Sequence, residues 1–346
     1  MKKILALLLA IALCVGITAC GAPAESSSSQ ASTSASQEAP SSQTPETEPV
    51  DIRIAALKGP TAMGMVKLMS DNEEGKTSNS YTVDIYGTAD ELTPKLISGE
   101  LDMAAVPCNL ASVLYNKTNG SVQLAAINTL GVLYIVETGN SIQSVEDLKG
   151  KTIYSTGKGT TPEYALNYVL TQNGIDPAKD VTIEYKSEST EVAALLAEGE
   201  NVIAMLPQPY VTTVALKNEK LRIALDMTKE WQAAAGEGGS GLVTGVLVVR
   251  KEFAQQNKAA FDAFLDEYKA SAEYVAQNTD EAAPLVAKYD IVPEPVAKKA
   301  LPYCNISYID GEEMVSRAGG YLKVLFEQNP KSVGGALPDD SFYYTR

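Results

Sequence analysis

The chain has 346 residues, more than one hydrophobic core ordinarily holds, so two lobes are the starting expectation. Acidic residues outnumber basic ones by 43 to 28, and the net charge of -15 repels phosphate backbones, which argues against a nucleic-acid partner. Histidine is absent, which removes Ser/His/Asp and Cys/His catalytic sets and HExxH zinc sites, so neither a catalytic set, a cofactor nor a metal is expected.

At the start of the chain Met1, Lys2 and Lys3 precede an apolar run from Ile4 to Ile17. That run is long enough for the apolar region of an export signal and short of a membrane span. It closes on Ile17-Thr18-Ala19-Cys20-Gly21, which resembles a bacterial lipobox. Residues 1–19 are therefore read as a lipoprotein signal peptide, and Cys20 as the residue that is acylated and becomes the mature N-terminus. From Gly21 to Glu48 no large apolar residue occurs, so the segment buries too little to offset the entropy of ordering. Residues 20–49 are read as a lipidated flexible tether with an end-to-end distance of roughly 30 Å. The expected location is the outer face of the cell membrane, held through the lipid anchor alone.

The folded body runs from about Val50 to Arg346, and it repeats itself at an offset of 100 residues. Lys58/Lys158, Gly59/Gly159, Thr61/Thr161, Glu91/Glu191, Leu96/Leu196, Gly99/Gly199, Ala104/Ala204 and Pro107/Pro207 all match. Each half reads as an apolar strand (Ile52 to Leu57; Thr152 to Thr156), a glycine-containing loop, a helix (Thr61 to Ser70; Thr161 to Asn173) and a second strand (Tyr81 to Tyr86; Val181 to Tyr185). An amphipathic helix, a Gly-Glu turn, an apolar strand and a proline follow in both. Strands alternating with helices of this length predict two α/β lobes with parallel sheets. Val122 to Asn128, Gly131 to Glu137 and Gly241 to Arg250 read as the strands that carry the chain between lobes. Beyond Lys251 the pattern is helical: Ala254 to Gln277, Asp280 to Tyr289, Pro293 to Ala300 and Gly311 to Gln328, packed mainly on the first lobe. Cys108 and Cys304 either pair or remain two buried thiols.

The lipobox and Ser-rich tether, IRIAALKGPTAMGMVKL, SGELDMAAVP, SVEDLKGKTIYSTGKGTTPEYAL and AMLPQPYVTT together resemble the substrate-binding lipoproteins of ABC importers. Within that group the chain is most similar to the nitrate/sulfonate/taurine and thiamine-pyrimidine-precursor binding family. The resemblance covers residues 50 to 346. It implies a two-lobed, periplasmic-binding-protein-like α/β fold of type II, with two crossing strands as the hinge. It also implies capture of one small organic molecule, a sulfonate or a pyrimidine-like heteroaromatic, for delivery to an ABC permease and its ATPase. A monomer without enzymatic activity is the family expectation. On this reading residues 50–132 and 246–346 form lobe 1, and residues 133–245 form lobe 2. Two other readings remain: an enzyme on the same fold, and a ligand-sensing lipoprotein without a transport role.

In open α/β sheets ligands sit beyond the carboxyl ends of the strands, where helices begin. That places Thr61, Ala62 and Met63 of the first lobe, and Gly159, Thr160 and Thr161 of the second, at the ligand. The alternative for the threonines is that they cap their helices. Tyr86 and Asn109 occupy the remaining strand ends of lobe 1, and Gln208 and Tyr210 those of lobe 2. Where family members often carry Glu-Pro, this chain has Gln208-Pro209, a neutral amide that weakens the case for a cationic amine. Trp231 lies in a stretch read as a loop (Met227 to Ser240), with a lid-like role or simple packing open to it. The five arginines (Arg53, Arg222, Arg250, Arg317 and Arg346) all lie away from the strand-end loops, so no bidentate clamp is expected. Lys58 and Lys158 flank those loops and are read as solvated.

Overall fold

A computed structural model describes residues 48–236 and 239–346. The expected signal peptide, Cys20 and nearly all of the expected tether lie outside them.

The first half runs β1 (Asp51–Leu57), α1 (Pro60–Met63), α2 (Val66–Glu73), β2 (Ser80–Tyr86), α3 (Ala89–Ser98), β3 (Met103–Pro107), α4 (Cys108–Lys117) and β4 (Val122–Leu130). The second continues with β5 (Leu133–Glu137), β6 (Thr152–Ser155), α5 (Thr161–Gln172), β7 (Thr182–Tyr185), α6 (Ser189–Glu198), β8 (Ile203–Pro207), α7 (Tyr210–Ala215), β9 (Arg222–Asp226) and α8 (Met227–Ala235). The chain then returns through β10 (Val243–Arg250), α9 (Lys251–Gln256), α10 (Lys258–Gln277), α11 (Thr279–Lys288), α12 (Glu294–Ala300), β11 (Ile306–Ile309) and α13 (Gly311–Gln328).

Two sheets result, in the orders β2-β1-β3-β10-β4-β11 and β7-β6-β8-β5-β9. In each, three parallel strands stand beside one antiparallel strand that arrives from the other half: β10 beside β3, and β5 beside β8. The internal repeat is thus a repeat of topology, and the architecture is the two-lobed α/β fold the sequence predicts. Matched sequence signals build matched elements. Glu91 reaches back to the Thr88 amide and hydroxyl to open α3, and Glu191 reaches back to the Glu188 amide to open α6.

The halves are joined twice. Gly131 and Val132 carry β4 into β5, and residues 236–242 carry α8 into β10. Pairing of β10 with the first sheet already begins at Val243 against Leu130, inside the range read as lobe 2. Both joints are close-packed. A Cβ on Gly131 would lie 2.0 Å from the Thr228 hydroxyl, and one on Gly245 would lie 2.6 Å from Asn128 Oδ1 and 2.8 Å from Thr61 Cγ2.

Three of the five arginines are held by buried carboxylates. At the ends of the sheets away from those loops, Asp102 accepts from Arg53 Nε at 2.9 Å and from its terminal nitrogen at 2.7 Å, with Arg250 at 3.6 Å. Glu137, equally buried, pairs with Arg222 in the second sheet. Each pair ties neighbouring strands together.

The C-terminal helices pack on the first sheet, α10 against α2 and β11 and α13 against α4 and β4. Tyr321 of α13, however, also meets the second lobe. Its ring centroid lies 5.3 Å from that of Trp231, which is itself 4.3 Å from Tyr168. Gly320 makes room there, since a Cβ would approach that of Ser240 to 3.1 Å. A continuous buried cluster therefore runs from one lobe to the other. Cys108 belongs to this cluster and Cys304 to a separate one, so they are two free buried thiols. Burial pushes the Cys304 thiol up to about 12.

Candidate functional site

A cavity of about 930 Å³ lies where the carboxyl ends of both sheets face each other. Three helices of ten or more residues begin at its walls: α3 at Thr88–Asp90, α5 at Thr160–Pro162 and α6 at Glu188–Thr190. Their first turns carry the positive ends of the helix dipoles and leave the amides of Ala89, Asp90, Thr161, Ser189 and Thr190 without intrahelical partners, while the Thr88 and Glu188 side chains take the third-position amides of α3 and α6 and Pro162 has none to offer. Lys58, Lys158, Lys186 and Lys217 also line the cavity, together with Asp90, Glu188 and Asp290. Lys58 pairs with Asp290 at 3.4 Å, and Lys186 with Glu184 outside the cavity at 3.4 Å. Among the described residues no ion pair is formed by Lys158 or Lys217. The lining therefore carries an excess of positive charge in a strongly acidic chain. Ile291, Val292 and Pro293, between α11 and α12, and Ala193, Ala194 and Val214 of the second lobe add apolar lining.

Of the residues singled out from sequence, Thr61, Thr160, Thr161, Gln208 and Tyr210 line this cavity. Thr61 donates to Leu57 O at 2.8 Å and Thr160 to Gly157 O at 2.8 Å, so both offer their hydroxyls to a ligand chiefly as acceptors. Gln208 Oε1 accepts from the Thr212 amide at 3.2 Å and hydroxyl at 2.8 Å, which leaves the Nε2 donors for the cleft. Tyr210 is partly buried, and desolvation pushes its phenol up, so it acts as a neutral ring with a hydroxyl tip.

The other candidates are placed elsewhere. Ala62 and Met63 are fully buried, and their amides both donate to Gly59 O at 3.0 Å, because α1 is a four-residue turn that closes on itself. Tyr86 accepts from Lys95 of α3 at 3.0 Å, which holds its hydroxyl within its own lobe. Asn109 is 1% exposed and donates to Gly159 O at 3.2 Å and Ser332 O at 3.1 Å. Gly159 uses its amide on Glu163 and its carbonyl on Asn109. Trp231 is not on a loop: it sits in α8, fully buried, donating to Ser240 O at 2.7 Å. A large ring between two tyrosines packs the joint between lobes and leaves nothing to act as a lid.

The β2–α3 and β7–α6 loops, Lys186, Lys217 and the Asp290–Pro293 segment are not anticipated from the sequence. The first two loops carried a signal, since Glu91 and Glu191 match in the repeat and mark helix starts. Lys58 and Lys158 are exposed, as the sequence reading has them, and also border the cavity.

Among the described residues no cluster of Cys, Asp and Glu is arranged to hold a metal ion, and no helix is long and apolar enough to cross a membrane. Two facing α/β lobes joined by two crossings, with a walled cavity at their strand ends, define the class of two-lobed solute-binding proteins. The family model described as ABC transporter, phosphonate, periplasmic substrate-binding protein matches residues 75–286, and the chain belongs to that family. No curated protein matches the sequence. Solved structures with the same fold include an ABC transporter protein from Parabacteroides distasonis, 22% identical, with a TM-score of 0.70 over 85% of this chain and 99% of that one. The periplasmic aliphatic sulphonate binding protein SsuA from Escherichia coli is 17% identical, with a TM-score of 0.68 over 85% and 92%. The periplasmic nitrate-binding protein NrtA from Synechocystis PCC 6803 is 12% identical, with a TM-score of 0.61 over 82% of each chain. The protein is thus a periplasmic substrate-binding component of an ABC importer.

Proposed function

We propose that the cleft captures a small organic anion, a phosphonate or sulfonate of an aliphatic chain, and that the closed form hands it to the permease without converting it. The observation that carries this reading is the convergence of three helix N-termini and four lysines on one cavity in a chain of net charge -15. Without an arginine in the lining, recognition falls to N–H groups, ammonium groups and the hydroxyls of Thr61 and Thr160. Asp90 and Glu188 stand in the same wall and suit a ligand that also carries an amino group. Residues 50–132 with 243–346, the return boundary moved to where β10 joins the first sheet, and residues 133–242 act as the two closing bodies, and a monomer suffices because each chain supplies both walls. Acylated Cys20 holds the body to the outer face of the membrane; a Cys20→Ser chain that still partitions with membranes would overturn that anchor.

A thermal-shift screen tests the ligand class. Ethylphosphonate, ethanesulfonate, an aminoalkylphosphonate and a pyrimidine are each added in large excess. A ligand at about 100 times its dissociation constant stabilises the folded form by roughly 2.7 kcal/mol. The expected result is a rise in the melting temperature with a phosphonate or sulfonate that weakens as salt is added, since the attraction is partly screened charge. A shift with the pyrimidine alone would contradict the anion reading.

A further inference from the structure

The second lobe's cleft loop, Gly157–Thr161, opens α5 and lines the cavity at Gly157, Lys158, Thr160 and Thr161. Two of its residues are glycines with left-handed backbone, φ +70° at Gly157 and +79° at Gly159. Its own hydrogen bonds are local: the Thr160 amide and hydroxyl to Gly157 O, Gly159 N to Glu163, and Tyr164 N to Thr160 O. Among the described residues, the side chains that hold it from outside both come from the first lobe. Asn109 Nδ2 donates to Gly159 O at 3.2 Å, and the Tyr321 hydroxyl donates to Thr161 Oγ1 at 3.2 Å.

We propose that Asn109 and Tyr321 are positioning residues for ligand capture, setting the α5 end of the cleft from the opposite lobe. Neither lines the cavity, and both are buried to 1% exposure or less. Asn109 also anchors to Ser332 O, so its donors span from the first lobe's C-terminal segment to the second lobe's loop, while its Oδ1 accepts nothing among the described residues. An amide that leaves an acceptor unpaired in the interior is costly there, which points to its donors as the reason for its presence. Tyr321 has its ring against Trp231 and only its hydroxyl on the loop. The two bonds form only when the lobes hold this relation, so lobe geometry and loop order are one equilibrium.

Hydrogen–deuterium exchange on the ligand-free full chain tests this. Tyr321→Phe keeps the ring and its packing; Asn109→Ala removes the other link. Each is expected to raise exchange at the amides of Gly157–Tyr164 by roughly fivefold, the weight of about one hydrogen bond. Leu166–Gln172 is expected to stay unchanged. Thr161→Val should add nothing to Tyr321→Phe, since both delete the same bond. Unchanged loop exchange, or an equal rise along all of α5, would overturn the proposal. Its binding arm rests on the anion reading: ethylphosphonate should bind both variants several-fold more weakly, through faster release, and equal binding despite a loosened loop would overturn the positioning role. If ethylphosphonate fails to bind the unmodified chain, ethanesulfonate takes its place; if neither binds, the anion reading falls and the exchange arm alone decides whether these residues hold the loop.

Discussion

Trp231→Ala is expected to cost about 3 to 5 kcal/mol of folding stability. The side chain is fully buried between Tyr168 and Tyr321, with its indole N–H on Ser240 O. Truncation removes two aromatic contacts, orphans that carbonyl and opens a cavity at the second crossing, where a Cβ on Gly320 would already crowd Ser240. Local collapse is hindered because the surrounding wall belongs to two lobes whose sheets cannot both move inward. The loss is a large share of the 5 to 15 kcal/mol that holds a typical protein folded. Since Trp231 is the sole tryptophan, denaturant unfolding of the variant is followed by circular dichroism instead of indole fluorescence. A loss below about 1 kcal/mol would mean that the joint between lobes repacks freely, contrary to the close packing described.

Glu137→Gln is expected to cost about 3 kcal/mol at neutral pH. Oε2 of Glu137 accepts from the Ser141 amide at 3.0 Å and hydroxyl at 2.9 Å, and Oε1 accepts from the Ile142 amide at 3.1 Å and from Arg222. An amide offers one acceptor oxygen where the carboxylate offers two, and it turns an NH2 group toward existing donors. Desolvation works to raise the Glu137 pKa, but the Ile142 and Ser141 backbone bonds, Arg222 and the Ser141 hydroxyl outweigh it and hold the group below its ordinary value. A depressed carboxylate contributes stability that is fully present above its unfolded value and is lost as pH falls through its folded one. The gap between wild type and Glu137→Gln should therefore be constant from pH 8 down to about 5 and shrink only below about 4. Urea titrations at several pH values measure it. A gap that widens toward low pH would contradict the assigned protonation.

The outline of the fold was legible because it rests on local signals. Matched residues such as Glu91 and Glu191, the Gly-Glu turns and the apolar strands recur at a constant spacing, and each records a short-range preference. The cleft was less legible, for two physical reasons. At α1 the amides that a helix start ordinarily frees are consumed by Gly59, which depends on how many residues the turn contains. Elsewhere the decisive contacts span 50 and 160 positions, from Asn109 to Gly159 and from Tyr321 to Thr161, and no pattern within one lobe encodes them.

The central claim is that this cavity holds a small molecule in the cell. Native mass spectrometry of the protein purified gently from its own cells tests it most directly. The account predicts a releasable adduct of a few hundred daltons or less, lost on denaturation and restored by adding a phosphonate or sulfonate. A bare polypeptide mass that no phosphonate, sulfonate or pyrimidine alters would contradict it.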